Sequence, residues 1–378
     1  MKNITEKIAI AAAVLSFAGC TEKIQPATPG IGAAESARLY ILNEGQMGAN
    51  NSSVDFYDFS DGSYVSDIFG TVNPDIALGL GDTGNDIAVY DGRIWVVLNG
   101  SSMVEVMDAR TAQHLGTVEI PACRDIAFSG EYAYVTSWTG SYSGGDNREG
   151  AVYRINTKTL KTEGSIDIGY QPEDITVLGG RIYAANSGGI TPGYDNRLSI
   201  IDEKTFKVIG YSEIADNICD MVADEDGRLW ISSPGDYSSV HSGIYIYDTA
   251  TGTMADRSAI EDVRVSSMAY RGNVLWVIGN EYENQYEADY TPRTRYMLYR
   301  IDCRTCEVSA TELKDTGASS VVYPYGIWVS PDGNDIFIAD AGNFTDPGRI
   351  VRLDSGLAYK GAFTTGVIPG HFALLQPE

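Results

Sequence analysis

Pairs of polar residues recur along the chain, each at the start of a short apolar run. They lie about 40 to 50 residues apart, a spacing typical of repeated folding units, and they are Asn85–Asp86, Arg124–Asp125, Glu173–Asp174 and Cys219–Asp220. Carboxylates that converge from such positions can ligate Ca²⁺, accept hydrogen bonds from a ligand, or cap the backbone amides of neighbouring strands. Capping is the most common use, so the pairs indicate a ligand site only if the fold brings them together.

The rest of the sequence offers little other chemistry. Its three histidines, His114, His241 and His371, do not have the spacing of a helical metal pair, and there is no Gly-x-Ser-x-Gly nucleophile motif. Cys303 and Cys306 have no second pair with which to bind zinc, and a local disulfide is an alternative in an oxidising compartment. We therefore predict a protein that is not an enzyme and has no metal or cofactor.

Repeated strands must position the polar pairs. An anchor strand with a central aromatic residue, such as LYILNEG, RIWVVLNG or RIYAANSGG, occurs seven times. The aromatic residues are Tyr40, Trp95, Tyr134, Tyr183, Trp230, Trp276 and Phe337. Each anchor strand is followed by a strand that ends in Asp or Asn, residue types that favour hairpin turns. Four short strands per unit at this spacing predict the blades of a β-propeller.

The leading strands, which carry the polar pairs, predict how the ring closes. Six of them precede an anchor strand, whereas the seventh, GHFALL (370–375), comes near the end of the sequence, and the first anchor strand has none of its own. The sequence therefore predicts an all-β, seven-bladed β-propeller over 38–378, closed by the C-terminal strand completing the first blade. An open two-sheet sandwich would leave the repeat number and the displaced strand unexplained.

In a propeller, the starts of the leading strands and the connections after the anchor strands share one mouth of the central channel. These connections are long and rich in aromatic residues, and insertions on one face commonly mark a binding face. Tyrosine suits recognition because it offers a rigid ring and a hydroxyl group. The alternative for each ring is packing of the loops against the blades. The predicted ligand-binding residues are Asp86, Arg124, Asp125, Trp138, Tyr142, Glu173, Asp174, Tyr194, Tyr237, Tyr282, Tyr325 and His371.

The first 37 residues precede the propeller. Lys2 and Lys7 lead into IAIAAAVLSFAG, which is too short for a permanent membrane helix and fits an export signal. The small residues before Cys20 resemble a bacterial lipoprotein cleavage site. We predict a signal peptide over 1–19, and a lipidated Cys20 with a flexible tether over 20–37. The membrane would then be contacted only through the lipid anchor.

The chain is strongly acidic. It has 51 Asp and Glu residues against 27 Lys and Arg, a formal net charge of −24. Such a surface repels phosphate backbones and anionic lipid headgroups. The composition therefore argues against nucleic acid as a partner.

Two stretches resemble known propeller families. YVTSW and the later NRLSIIDEKTFKVIG resemble the YVTN/YncE-type repeat. LYILNEGQMGANNSSVDFYD, followed by LGDTGNDIAVYDGRIWVVLNGSSMVEVMDART, resembles the lipoprotein propellers of gut Gram-negative anaerobes that include BtuG-type cobalamin-capture proteins. This resemblance, over 38–376 and the leader, implies an outer-membrane lipoprotein facing the cell exterior. It also implies that the protein binds cobalamin or another corrinoid and delivers it to a TonB-dependent outer-membrane transporter.

The predicted mouth is compatible with that ligand. A corrinoid is a wide, mostly apolar macrocycle fringed with carboxamide arms, so it needs a broad site with aromatic walls and many polar partners. Carboxylates can accept hydrogen bonds from its amide groups, and Arg124 can donate to amide oxygens or to a phosphate. Two alternatives stay open: a glycan- or protein-binding surface propeller, and a Ca²⁺-dependent lactonase or lyase.

Overall fold

The structure is a computed structural model, and it describes residues 36–139, 149–189, 193–236, 239–255, 259–286 and 292–377. Over these residues the chain forms seven antiparallel sheets, six of four strands and one of five. Each sheet is one blade, and the blades are numbered I to VII from the first anchor strand. The all-β, seven-bladed propeller predicted from the sequence is confirmed.

The strands are numbered in chain order and grouped here by blade. Blade I contains β1 (Arg38–Asn43), β2 (Ser53–Asp58), β3 (Tyr64–Val65) and β29 (Pro369–Leu375). Blade II contains β4 (Gly84–Tyr90), β5 (Arg93–Leu98), β6 (Met103–Asp108) and β7 (His114–Glu119). Blade III contains β8 (Cys123–Ser129), β9 (Tyr132–Trp138), β10 (Glu149–Asn156) and β11 (Lys161–Tyr170).

Blade IV contains β12 (Pro172–Leu178), β13 (Arg181–Asn186), β14 (Arg197–Asp202) and β15 (Lys207–Glu213). Blade V contains β16 (Met221–Ala223), β17 (Arg228–Ser233), β18 (Gly243–Asp248), β19 (Thr253–Met254) and β20 (Ile260–Glu261). Blade VI contains β21 (Arg264–Arg271), β22 (Val274–Tyr286), β23 (Pro292–Asp302) and β24 (Val308–Glu312). Blade VII contains β25 (Pro324–Val329), β26 (Asp335–Asp340), β27 (Pro347–Asp354) and β28 (Tyr359–Val367).

Two short helical segments join the strands. Helix α1 (Ile68–Val72) lies between β3 and β4, and a 3₁₀ turn spans Leu313–Asp315. No helix of the described residues is long and apolar enough to cross a bilayer.

The ring closes as the sequence predicts. Strand β29 pairs antiparallel with β1, which places Ala373 opposite Tyr40 and His371 opposite Leu42. Strand β1 therefore lies between β29 and β2, with hydrogen-bonded partners on both sides. Closure through the first blade removes an exposed inner sheet edge, where unpaired backbone groups would otherwise invite association with another chain.

The anchor strands form the core. Each lies second from the channel in its blade, and the side chains of Trp95, Tyr134 and Trp230 are fully buried. Trp95 of blade II reaches Phe128 of blade III, with ring centroids 5.4 Å apart in an edge-to-face arrangement. Burying such a ring stabilises the fold by roughly 1.5–3 kcal/mol. The recurrent aromatic residue is therefore the element that packs one blade against the next.

The Asp or Asn residues that end the third strands of the blades organise the turns that follow. Asp108 accepts hydrogen bonds from the backbone N–H groups of Arg110 and Thr111, at 3.0 and 2.9 Å. Asp202 does the same for Thr205 at 2.7 Å. The hairpin turns predicted from these residues are confirmed, and the carboxylates replace the ladder bonds that a tight turn cannot make.

The connection over 280–296 differs from the sequence prediction. It was expected to be a long loop, but β22 extends to Tyr286 and β23 begins at Pro292. Asn280 pairs with Tyr296 and Tyr282 with Thr294. Tyrosine and threonine favour strands, and continued pairing satisfies backbone groups that a loop would leave to solvent. The hairpin therefore lengthens blade VI.

The four cysteines of the described residues are thiols. Cys123, Cys219, Cys303 and Cys306 are all free. The disulfide considered for Cys303 and Cys306 is therefore not formed in this structure.

Candidate functional site

The starts of the inner strands meet around one cavity of about 530 Å³. Every blade contributes to its lining, which consists of Glu44, Thr83, Asn85, Asp86, Arg124, Asp125, Glu173, Asp174, Cys219, Asp220, Ser266, Ser267, Tyr325, Gly370 and His371. The four polar pairs that recur in the sequence are thus brought together. The cavity, called the mouth cavity below, has a volume within the range of small-molecule sites.

Bulges in the inner strands explain why both residues of a pair reach the cavity. The pairing of inner and anchor strands shifts register between Gly84 and Asp86, between Cys123 and Ile126, and between Pro172 and Ile175. Regular alternation would send neighbouring side chains to opposite faces, whereas a bulge redirects one of them. The sequence gives no direct signal for this bulge, because the run of apolar residues after it keeps its period of two.

The inner-strand aspartates connect neighbouring blades. Asp125 of blade III accepts a hydrogen bond from the backbone N–H of Ile175 in blade IV at 2.8 Å. Asp174 of blade IV accepts one from Met221 in blade V, also at 2.8 Å. Asp220 in turn accepts from the backbone of Met268 in blade VI. These carboxyl groups therefore cap amides of the next blade, which is the structural use considered in the sequence analysis.

The four aspartates also share protons. The side chains of Asp86 and Asp125 are hydrogen-bonded to each other, as are those of Asp174 and Asp220. A hydrogen bond between two carboxyl groups requires a proton on one of them. Burial, and next the adjacent carboxyl group, raises the pKa of Asp86, Asp125 and Asp174 well above the usual value. The mouth cavity therefore carries less negative charge than its composition suggests.

A second group of contacts joins blade I to blade VII. The Nε2 atom of His371 lies 3.0 Å from Oε1 of Glu44, and the hydroxyl of Tyr325 hydrogen-bonds to the same carboxylate. Burial lowers the pKa of His371, but the bond to Glu44 and the charges of Glu44, Asp86 and Asp220 outweigh it, so the pKa is raised. The arrangement favours an imidazolium ion at the floor of the cavity. Sequence reasoning missed Glu44, which directly follows the first anchor strand.

Arg124 joins three blades on the opposite side of the cavity. Its Nε and Nη2 atoms lie 2.8 and 2.7 Å from Oε2 of Glu173 in blade IV. The amide oxygen of Asn85 in blade II, with the amide oriented to face Arg124, accepts from its Nη1 and Nη2 atoms at 3.0 and 3.2 Å. The guanidinium also lies 4.8 Å from the ring centroid of Trp138. These contacts hold its charge at a defined place in the cavity wall.

Trp138 is placed differently from the prediction. It was assigned to the loop after the anchor strand, but it is the last residue of β9 and only 4% exposed. Its indole N–H donates to the carbonyl of Pro172 at 3.0 Å. Trp138 therefore contacts Arg124 and is not part of the cavity lining. The motif could not distinguish a buried strand end from a loop residue, because both precede a glycine-rich segment.

The remaining predicted residues are not among the described residues that line the cavity. Tyr194 is half-buried in the connection between β13 and β14. Tyr282 lies on β22 and pairs with Thr294. Tyr142, Tyr237 and Cys20 fall outside the described residues. The ligand roles predicted for all of these residues stay predictions.

The channel continues beneath the mouth cavity. A second space of about 360 Å³ shares Asp86, Asp220 and His371 with it and extends along Tyr270 and Trp328. His371 thus lies at the boundary between the two spaces. Within the described residues, no group of three or more His, Cys, Asp or Glu side chains is arranged to hold a metal ion.

The lining of the mouth cavity is rich in hydrogen-bond acceptors. Six carboxyl groups face the cavity against two basic side chains, Arg124 and His371. Oxygen acceptors therefore outnumber charged donors, and a ligand rich in N–H or O–H groups is the natural complement.

Comparison with known proteins identifies one family and several solved structures of the same fold. The family described as "Domain of unknown function (DUF5074)" matches residues 38–354. No curated protein matches the chain.

Similar solved structures share the propeller fold. Hydrazine synthase of Kuenenia stuttgartiensis superposes with a TM-score of 0.64 at 16% identity, over 78% of this chain and 90% of that one. A functionally unknown protein from Desulfotomaculum acetoxidans gives 0.62 at 9% identity, over 90% and 99%. Apo AztD from Citrobacter koseri gives 0.50 at 12% identity, over 90% and 98%. At these identities the likeness shows the fold alone.

Proposed function

This chain belongs to the family described as a domain of unknown function (DUF5074), and from that premise we propose that it is a non-enzymatic binding protein for cobalamin or a related corrinoid. The ligand binds at the mouth cavity. The protein is held at the outer membrane through a lipid on Cys20 and faces the cell exterior. It passes the ligand to a TonB-dependent outer-membrane transporter. The resemblance of the repeat sequence to cobalamin-capture lipoproteins supports the ligand, the anchor and the partner.

The observation that carries the proposal is the excess of oxygen acceptors around one cavity. A corrinoid presents a ring of carboxamide arms, each with two N–H donors, around a cationic metal centre. Glu44 and Glu173 are the lining carboxylates that stand outside the hydrogen-bonded aspartate pairs and contact His371 and Arg124, so we expect them to be the acceptors that the ligand uses. Arg124 lies beside Glu173 and can donate to an amide oxygen or a phosphate of the ligand.

Calorimetry of the full-length protein with cyanocobalamin tests this function. We expect saturable binding, and we expect Glu173→Gln to weaken it by about fivefold to tenfold, because a carboxylate acceptor contributes roughly 1–1.5 kcal/mol more than a neutral one. Glu131→Gln is the matched control, since Glu131 lies in the turn between β8 and β9 and pairs with Lys158. It should bind like the wild-type protein.

The same measurement separates the alternatives. A wild-type protein that gives no heat with cyanocobalamin would exclude the corrinoid proposal. Binding on a glycan array would then favour the glycan-binding alternative. Ester turnover that depends on added Ca²⁺ would favour the lactonase.

A further inference from the structure

A cluster of aromatic rings extends from the mouth cavity onto the rim of blade VII. The ring centroid of Tyr323 lies 4.6 Å from that of Phe344, 6.4 Å from that of Tyr325 and 5.8 Å from that of Tyr296. Tyr325 and Phe344 are 5.8 Å apart in a perpendicular arrangement. Tyr325 also lines the mouth cavity. The rings of Tyr323, Tyr325 and Phe344, called the aromatic platform below, are therefore continuous with the candidate site.

The backbone beneath the aromatic platform is fixed by a buried carboxylate. Asp340, at the end of β26, accepts hydrogen bonds from the N–H groups of Val322 and Tyr323, the latter at 2.8 Å. It also pairs with Nε of Arg349 at 2.9 Å, and its side chain is only 2% exposed. The carbonyl of Tyr323 accepts from the N–H of Ala341 at 2.9 Å. Little conformational entropy is left to lose when a ligand contacts Tyr323.

Phe344 is held in an unusual backbone conformation. Its φ angle is +64°, a region that bulky side chains rarely adopt. The side chain of Asn343 stabilises this turn by accepting from the N–H groups of Thr345 and Asp346, at 3.0 and 2.9 Å. The result is that the Phe344 ring packs edge-to-face against Tyr323. The turn thus positions a ring at the rim at a cost in backbone energy.

Over the residues that the structure describes, the outer side of the aromatic platform is exposed. Tyr323 is 37% exposed and its neighbour Val322 is 62% exposed. Apolar surface of this kind beside a polar cavity suits a ligand that has a flat apolar ring and polar arms. We propose that the flat ring of the ligand packs against Tyr323 while its arms enter the mouth cavity. This inference rests on the proposed function. It adds that the aromatic platform is the subsite that favours a ligand with a flat ring.

The test compares binding of cyanocobalamin to the full-length wild-type protein with three variants by calorimetry. We expect Tyr323→Ala to raise the Kd by about tenfold, which corresponds to about 1.4 kcal/mol. Tyr323→Phe keeps the ring and should bind within about twofold of the wild-type protein, since stacking does not need the hydroxyl. Tyr359→Ala is the matched control. Tyr359 is 58% exposed and lies on β28 opposite Leu353, at the other end of the blade.

The outcomes are distinct. If the wild-type protein and Tyr323→Ala bind with equal affinity, the ligand does not pack against Tyr323. The proposed function would be unaffected by that result. If Tyr359→Ala weakens cyanocobalamin binding as much as Tyr323→Ala does, the ring-packing proposal is also wrong, because the effect is then not specific to the rim. Absence of binding by the wild-type protein would overturn both. Thermal unfolding of each variant shows whether a loss of affinity comes from a loss of folded protein.

Discussion

At the scale of single residues, the inner-strand aspartates both bond neighbouring blades to each other and line the mouth cavity. Their recurrence at one position of the repeat is visible in the sequence and predicts that they surround the channel. Their proton sharing is not visible, because it depends on the distance between carboxyl groups of different blades. Asp125, for example, has one neighbour in blade II and an amide partner in blade IV. Only the assembled ring brings these together.

The raised pKa of Asp174 predicts a pH-dependent stability. A carboxyl group whose pKa is raised on folding stabilises the protein below its ordinary pKa of 3.8, and this contribution is lost as the pH rises towards the folded value. Asp174→Asn keeps an acceptor for the N–H of Met221 and removes the titration. We expect the variant to gain free energy of unfolding relative to the wild-type protein between pH 5 and pH 8, measured by denaturant titration.

Asp248→Asn provides a control of opposite sign. Asp248 lies at an exposed hairpin turn. The hydrogen bond from the N–H of Thr251 lowers the pKa of Asp248, and this effect is larger than the opposing effect of burial. The ionised Asp248 carboxylate therefore stabilises the folded protein above pH 3.8, and this stabilisation is lost as the pH falls. The wild-type advantage over this variant should therefore shrink between pH 5 and pH 3. A parallel pH dependence of the wild-type protein and Asp174→Asn would contradict the proton-sharing interpretation.

At the scale of strands, the period-two pattern and the turn residues were sufficient to predict the inner, anchor and third strands. The displaced strand GHFALL was sufficient to predict the closure. What the pattern could not predict is where pairing continues beyond the repeat, as in β22 and β23, or where a fifth strand is added, as with β20. These additions depend on partners that become available only when the blades are built. The bulges that direct the polar pairs towards the cavity likewise could not be predicted from the pattern.

Closure by β29 predicts the effect of a truncation. A chain ending at Val367 lacks β29 and leaves β1 with an unpaired edge and an uncovered apolar face. We expect the Tm to fall by about 10 °C or more, because each kcal/mol lost lowers the Tm of a domain by a few degrees. Aggregation should accompany unfolding. Thermal unfolding and size-exclusion chromatography measure both effects.

The matched control ends at Leu375 and keeps all of β29. The residues that it removes include Gln376 and Pro377, which are exposed. Its Tm should equal that of the whole chain. A truncation at Val367 that unfolds at the same temperature would show that β29 contributes little to closure.

At the scale of the whole molecule, the sequence predicts a leader and a tether before the closed acidic ring. The leader lies outside the described residues, so its role stays a prediction from its own pattern. We expect Cys20→Ser to abolish membrane association, because a non-lipidated chain has no other predicted membrane contact. Detergent phase partition and metabolic labelling with a fatty acid measure this directly.

Cys306→Ser is the control for the anchor. Cys306 is a free thiol in the turn after β23, and its replacement should leave the protein in the membrane fraction. If Cys20→Ser stays in that fraction and still takes up labelled fatty acid, the lipid is attached elsewhere. The prediction that Cys20 carries the anchor would then be wrong, although the protein would still be tethered.

The bonds between neighbouring inner strands all run in one sense around the axis. Acceptors on blades III, IV, V and VI hold the amides of blades IV, V, VI and VII, the last of these through Ser267 and Ile327 at 3.3 Å. Gly326 and His371 stand at the corresponding places of blades VII and I, and neither carries a side-chain oxygen. Those two junctions are bonded through Glu44, whose carboxylate contacts Tyr325 of blade VII and whose carbonyl accepts from the N–H of Gly84 in blade II at 2.9 Å. The continuity of the ring at these junctions therefore depends on a residue that follows an anchor strand and not on the inner strands themselves.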